Sequence, residues 1–134
     1  MPIGHIETQR LRIRSFQPND WQAVYGYTSD PAVMAYIPEG TFVPEQAKAF
    51  VEENMGELAR FVAVLLKTDD TLVGHMVFQP WFAPQTYEIG WVFDRAYHGQ
   101  GYATEAAMAL LRYGFEKLHL HRIIATSQPE NIAS

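Results

Sequence analysis

Residues Tyr97-His98-Gly99-Gln100-Gly101-Tyr102-Ala103-Thr104-Glu105-Ala106 join two segments of opposite character. Before them runs Tyr87-Glu88-Ile89-Gly90-Trp91-Val92-Phe93, rich in the aromatic and branched residues that suit a strand. After them come strong helix formers, Ala106-Ala107-Met108-Ala109-Leu110-Leu111. Gly99 and Gly101 stand between, free to turn tightly and to let a ligand come close to the backbone. Strand, glycine turn and helix N-terminus together make a phosphate cradle. The first helical N–H groups have no partner in the helix, and its dipole adds roughly half a positive charge. The same residues also read as a plain strand-to-helix connection in which glycine serves geometry alone. A Walker-type loop is excluded, since no Gly-Lys-Ser/Thr follows the glycines. The dinucleotide fingerprint fits poorly too: Thr104 stands at its third glycine position, and its usual place is the first strand of a fold.

Outward from this stretch, Ala103, Ala106, Ala107, Leu110, Leu111, Phe115 and Leu118 recur at helical spacing, and Leu120 to Thr126 reads as a strand. Upstream, Phe61–Leu66 is an apolar run of strand length. Thr68-Asp69-Asp70-Thr71 turns the chain, and Leu72–Phe78 returns as a second strand, so the pair predicts a hairpin. Pro80 to Pro84 is a loop carrying Trp81 and Phe82. Nearer the N-terminus, Leu11 and Ile13 alternate with Arg10, Arg12 and Arg14 in a strand with one wet face. Asn19 or Asp20 is placed to cap a helix bearing Trp21, Val24 and Tyr25. A short helix is predicted from Asp30-Pro31, with Val33, Met34 and Tyr36 as its apolar side, and a third from Pro44 to about Arg60, striped by Ala47, Phe50, Val51 and Leu58. The fold class is therefore α/β (α+β): antiparallel strands, then one helix connecting two parallel strands.

The chain has 134 residues, which suits a single domain spanning 1–134, and 48% of them are hydrophobic, enough for a core. A formal net charge of -5 repels nucleic acid and acidic membranes in bulk, so neither is an expected partner, and any anion must be held locally. The absence of cysteine removes disulfides and thiolate chemistry. No export signal or long apolar run is present, so a cytoplasmic location is expected.

Glu88 lies within an otherwise apolar strand. A carboxylate there can have a raised pKa and act as a base, or it can be an outward-facing residue in water. His119 and His121 would share one face of a strand, but no third ligand accompanies them, so no metal is expected. His75 could border a pocket or sit satisfied in the core. Trp81, Phe82, Tyr87, Trp91 and Tyr97 could line a groove or fill the interior. No serine lies in a nucleophile-elbow context.

These residues carry a resemblance. Tyr97–Ala106 is similar to the acetyl-CoA pyrophosphate loop of the GNAT acetyltransferase superfamily, whose pattern is Gln/Arg-x-x-Gly-x-Gly/Ala. Gly101 and Ala103 fill its last two slots, and His98 stands where Gln or Arg is usual. Ile6–Arg14, Asn19-Asp20, Ser29–Met34, Leu72-Val73-Gly74, Tyr87–Trp91 and Asn131–Ser134 resemble the branch that includes N-terminal acetyltransferases of ribosomal proteins. The resemblance implies a GNAT-like twisted, mixed, mostly antiparallel sheet flanked by helices. Its fourth and fifth strands, here about 86–93 and 120–127, splay apart in a V. Acetyl-CoA would lie there, its pantetheine along Ile89, Gly90, Trp91 and Val92 and its pyrophosphate on His98, Gly99, Gln100, Gly101, Tyr102, Ala103 and Thr104. Asn131 would bond the pantetheine. Glu88 would serve as catalytic base, and an amide of Trp91 or Val92, at a bulge in the fourth strand, as oxyanion donor. The acceptor would be a small-molecule or peptide amine. The family continues past Asn131 with a helix, which bears its usual tyrosine general acid, and two strands. A chain stopping at Ser134 therefore reads as a fragment, a short natural form, or a domain completed by a partner chain. The apolar edge 120–126 is expected to pair, giving a homo-oligomer.

Overall fold

A computed structural model describes residues 5–35, 37–56, 59–80 and 84–125. Six strands form one sheet in chain order: β1 (His5–Glu7), β2 (Leu11–Arg14), β3 (Phe61–Leu66), β4 (Leu72–Pro80), β5 (Thr86–Phe93) and β6 (Arg122–Ala125). Neighbours are antiparallel except β5 and β6, which are parallel and joined through α3 (Tyr102–Lys117). Helices α1 (Trp21–Thr28) and α2 (Pro44–Glu53) fall between β2 and β3. The mixed, mostly antiparallel sheet with flanking helices is the one expected.

Strand β3 explains the layering. Its Val62 and Val64 enter a core with Ala103, Ala106 and Leu110 of α3, while Ala63 and Leu65 enter another with Val24, Tyr27, Ala47 and Val51 of α1 and α2. A strand buried on both faces must be apolar throughout, as Phe61–Leu66 is. Each fully buried valine or leucine contributes about 1.5–3 kcal/mol of transfer free energy, so this strand anchors both layers.

Several local expectations are corrected. The segment after Asp30 is a series of turns, not a helix. Asp30 Oδ1 accepts from the Ala32 amide at 2.9 Å, and this local bond competes with helix formation. Helix α2 stops at Glu53 rather than near Arg60. The buried Asn54 ends it: Nδ2 donates to the Phe50 carbonyl at 2.8 Å, while Oδ1 accepts from the amides of Arg60 (2.9 Å) and Phe61 (3.2 Å). Asp20 does not cap α1. A 3-10 turn at Pro18–Asp20 precedes that helix, and the Asp20 carboxylate folds back onto the Gln17 amide and the Arg14 guanidinium. Strand β1 was not anticipated; it exists through its pairing with β2.

The last strand begins at Arg122, not Leu120. His119 has a left-handed φ of 55°, the Leu120 amide donates to the Gly114 carbonyl at 3.1 Å, and His121 lies in a bend. The two histidines therefore do not share a strand face, and no group of His, Asp and Glu among the described residues could hold a metal ion. No helix among the described residues is long and apolar enough to cross a membrane. His75 is a core residue. It is 4% exposed, its Nδ1 lies 2.5 Å from the Tyr27 hydroxyl, and Phe16, Phe50 and Phe61 surround its ring. Burial depresses its pKa to about 3. Tyr36, Leu58, Trp81, Phe82, Asn131 and the stretch from Thr126 onward lie outside the described residues.

Candidate active site

The parallel β5–β6 ladder runs from Thr86↔Arg122 to Ile89↔Ala125. The splay expected past this ladder and the Asn131 contact lie outside the described residues. Against β4, β5 keeps an unbroken register from Gly74↔Phe93 to Pro80↔Tyr87. The bulge expected in this strand is absent over that ladder. The irregularity lies between β3 and β4 instead, at Val64/Leu65.

That register sorts the β5 amides. Asp94 N–H donates to the Val73 carbonyl at 2.8 Å, so Asp94/Val73 is a hydrogen-bonded pair, and such pairs recur at every second position. Val92 thus points its N–H toward β4, whereas Trp91 points its N–H toward the β6 side. The Phe78 amide, which bonds to the Arg60 carbonyl at 2.8 Å on the opposite side of β4, agrees with this phase. Gly74 fixes the end of the ladder. A Cβ there would stand 2.6 Å from the Val92 carbonyl oxygen and 2.8 Å from the Phe93 ring.

Glu88 is partly buried on the β5 face shared with Gly90 and Val92. Its cross-strand partner is Gln79, whose Nε2 donates to Glu88 Oε1 at 2.6 Å. The bond fixes the carboxylate through one oxygen and leaves Oε2 to accept elsewhere.

After Phe93 the chain makes a 3-10 turn at Arg95–Tyr97, capped by Asp94 Oδ1 on the Ala96 amide at 2.9 Å. Gly99 and Gly101 have φ of 76° and 81°, a region that penalises other residues, and Gly101 is the N-cap of α3. Glu105 makes the first helical bond to Gly101 O at 3.0 Å, so the amides of Tyr102, Ala103 and Thr104 begin the helix without intrahelical acceptors. His98 Nε2 donates to the Phe93 carbonyl at 2.8 Å and ties the loop to β5.

The cradle is braced from the other end of the chain. Glu105, in the first turn of α3, accepts from Thr8 Oγ1, from the Arg10 amide at 2.9 Å and from Arg10 Nε at 2.7 Å. Arg10 Nη1 donates to the Gln100 carbonyl at 2.9 Å, and its guanidinium lies 4.5 Å from the Tyr102 ring centroid. Burial acts to raise the Glu105 pKa; the bonds from Thr8 and Arg10 outweigh it and hold the carboxyl below its usual range.

A strand bearing a half-buried carboxylate, followed by a left-handed glycine and an open helix N-terminus, suits a ligand with a pyrophosphate. The profile of the Acetyltransferase (GNAT) domain matches residues 10–134 of this chain. The chain belongs to the GNAT acetyltransferase family. YnaD of Bacillus subtilis (strain 168), an uncharacterized N-acetyltransferase, is 59% identical over 130 residues, covering 97% of this chain and 76% of YnaD. A solved GNAT-family acetyltransferase from Bacillus anthracis superposes with a TM-score of 0.90 at 54% identity, covering 96% of this chain and 76% of that one. A putative ribosomal-protein-serine acetyltransferase from Vibrio cholerae shares the fold, with a TM-score of 0.77 at 22% identity over 98% of this chain and 78% of that one. This chain is accordingly an N-acetyltransferase, and members of its family use acetyl-CoA.

For this acetyltransferase the predicted residues Ile89 to Val92 and His98 to Thr104 form one continuous path along β5 into α3, with Glu88 at its start. Sequence reasoning did not find Thr8, Arg10, Gln79 and Glu105. Gln79 was accessible through hairpin register. The Arg10–Glu105 contact spans most of the chain, and no local pattern signals it.

Proposed function

We propose that this acetyltransferase moves the acetyl group of acetyl-CoA to a primary amine, a protein N-terminus or a small molecule, by direct attack with both substrates bound. The observation that carries the reading is Gly101 at φ 81°, which opens the α3 N-terminus directly after β5. The amides of Tyr102, Ala103 and Thr104 hold the pyrophosphate, and the pantetheine runs along Ile89–Val92. Gly99, Gln100 and His98 shape the loop, and Asn131 completes the pantetheine contacts. Glu88 takes the ammonium proton through a water. The amine nitrogen bonds to the thioester carbonyl carbon, the C–S bond breaks, and the thiolate leaves and is protonated. The Trp91 amide, aimed to the β6 side, stabilises the oxyanion; the alternation of the ladder favours it over Val92. No covalent enzyme intermediate is needed, in keeping with a chain that has no cysteine.

Calorimetry with acetyl-CoA, followed by thiol release over a panel of peptide and small-molecule amines, tests this. Micromolar binding with release on at least one amine is expected. Binding with no release on any amine would leave a CoA-binding domain, and no binding would undo the cradle. The same proposal includes a cytoplasmic location and self-association through β6. That strand ends the sheet among the described residues, and its Ile123 and Ile124 are only half-buried. A monodisperse monomer in light scattering at micromolar concentration would refute the self-association.

A further inference from the structure

We propose that Arg10 is a cofactor-binding residue of the cradle, its Nη2 donating to a phosphate of acetyl-CoA while its other nitrogens hold the loop and the helix in place. The inference rests on the acetyl-CoA reading and extends it to a residue from the opposite end of the chain. The three nitrogens of the guanidinium, which carry its five N–H groups, decide the matter. Nε is committed to Glu105 and Nη1 to the Gln100 carbonyl. Nη2 has no hydrogen-bond partner among the described residues, yet lies only 3.3 Å from where a Cβ on Gly101 would stand. An unspent charged donor thus sits at the residue whose left-handed backbone opens the helix N-terminus. The side chain is 43% exposed, so a ligand can reach it. Stacking against Tyr102 and the two committed bonds fix the plane of the fork, so little side-chain freedom is lost on binding. Arginine presents flat, paired donors to phosphate, where lysine would present a point charge.

Local charge supports the assignment. In a protein of net charge -5, the first turn of α3 carries a carboxylate, Glu105, beside the position proposed for an anion. Thr8 and Arg10 together take up its oxygens and turn it toward the β1–β2 connection. The shared chemistry is a phosphate; acetyl-CoA offers two kinds, the bridging pyrophosphate and the 3′-phosphate of its ribose.

The test is calorimetry of the 134-residue chain with acetyl-CoA and with 3′-dephospho-acetyl-CoA. Arg10→Gln is expected to weaken acetyl-CoA binding about tenfold or more, as for loss of one charge-assisted bond. It should raise the KM for acetyl-CoA with kcat at saturation unchanged. Arg10→Lys should fall between the variant and wild type. An equal penalty on both ligands assigns Nη2 to the pyrophosphate, and a penalty confined to acetyl-CoA assigns it to the 3′-phosphate. Because Arg10→Gln also releases Glu105, the double variant Arg10→Gln/Glu105→Gln is the control. If it binds like wild type, repulsion by Glu105 explains the loss and the proposal is overturned. Equal affinity of wild type and Arg10→Gln overturns it directly. Failure of wild type to bind either ligand would refute the acetyl-CoA reading itself, and this assignment with it.

Discussion

Acid should destabilise this acetyltransferase through one buried histidine. His75 is packed among Phe16, Phe50, Phe61 and Tyr27, and burial takes its pKa from 6.5 to about 3. The depressed value means that the unfolded chain takes the proton more readily than the folded one. The contribution is therefore fully present above pH 6.5 and lost as the pH falls through the folded value near 3. Each pH unit well inside that window costs about 1.4 kcal/mol. Between pH 7 and pH 5 the loss comes to about 2 kcal/mol, since titration of the unfolded form is only beginning near 6.5. With an unfolding entropy of about 2.1 cal/mol/K per residue, that lowers Tm by roughly 7 °C. His75→Gln keeps a hydrogen-bonding group beside Tyr27 and removes the titration. Urea unfolding at pH 7, 6 and 5 should show wild type losing stability more steeply than the variant, by about 1 kcal/mol per unit in the lower half of that range. Shared carboxylate contributions cancel in the comparison. Parallel stability curves for the two proteins, or an NMR titration of the folded-state ring near pH 6.5, would refute the reasoning.

Further outcomes follow from single contacts. Gly74→Ala places a Cβ 2.6 Å from the Val92 carbonyl, backbone against backbone, and should cost on the order of 2–3 kcal/mol in denaturant unfolding. A loss under about 0.5 kcal/mol would mean that the β4–β5 ladder gives way easily. Asn54→Ala removes the side chain that ends α2 and orphans the Phe50 carbonyl and the Arg60 and Phe61 amides; about 2–3 kcal/mol should be lost by the same assay. Glu88→Gln keeps the shape beside Gln79 and removes the carboxylate proposed as the base. Steady-state kinetics near neutrality should show kcat reduced about 10²–10⁴-fold, whereas equal rates would make Glu88 structural.

Legibility in the sequence followed the range of the forces involved. Strand β5 was bounded correctly at Thr86 and Phe93 because turn residues flank an uninterrupted strand-like run. Helix α3 was legible because Gly101 opens it and its apolar residues keep one period to the end. Helix α2 was overextended because the stripe of Ala47, Phe50, Val51 and Leu58 continues past its true end. What stops it is a side chain, Asn54, bonding both the last turn and β3, and periodicity carries no record of that. Asp30 and Pro31 look like a helix start and form turns, because Asp30 satisfies a local amide instead. His119 and His121 flank a chain reversal, not a strand, since Leu120 must bury under α3. The candidate residues along β5 and the loop stand close together in sequence and can be named from local pattern, whereas Thr8 and Arg10 reach the loop and α3 only through the sheet.

The brace from Thr8 and Arg10 decides the sign of the field at the cradle. A helix N-terminus offers roughly +0.5 of an elementary charge. Glu105 in the first turn brings a full negative charge, so the helix alone would present a net repulsion of about −0.5 to any phosphate. Arg10, bonded to that carboxylate and to the loop carbonyl of Gln100, cancels it, and its Nη2 beside Gly101 adds a directed donor that charge balance alone would not supply. The glycines supply the room, but the attraction needs the β1–β2 connection. Anion binding by α3 should therefore fail whenever that connection is displaced, even with Gly99 and Gly101 intact. The cradle is consequently a property of the sheet that brings residues 8–10 against residues 100–105, and not of the loop by itself.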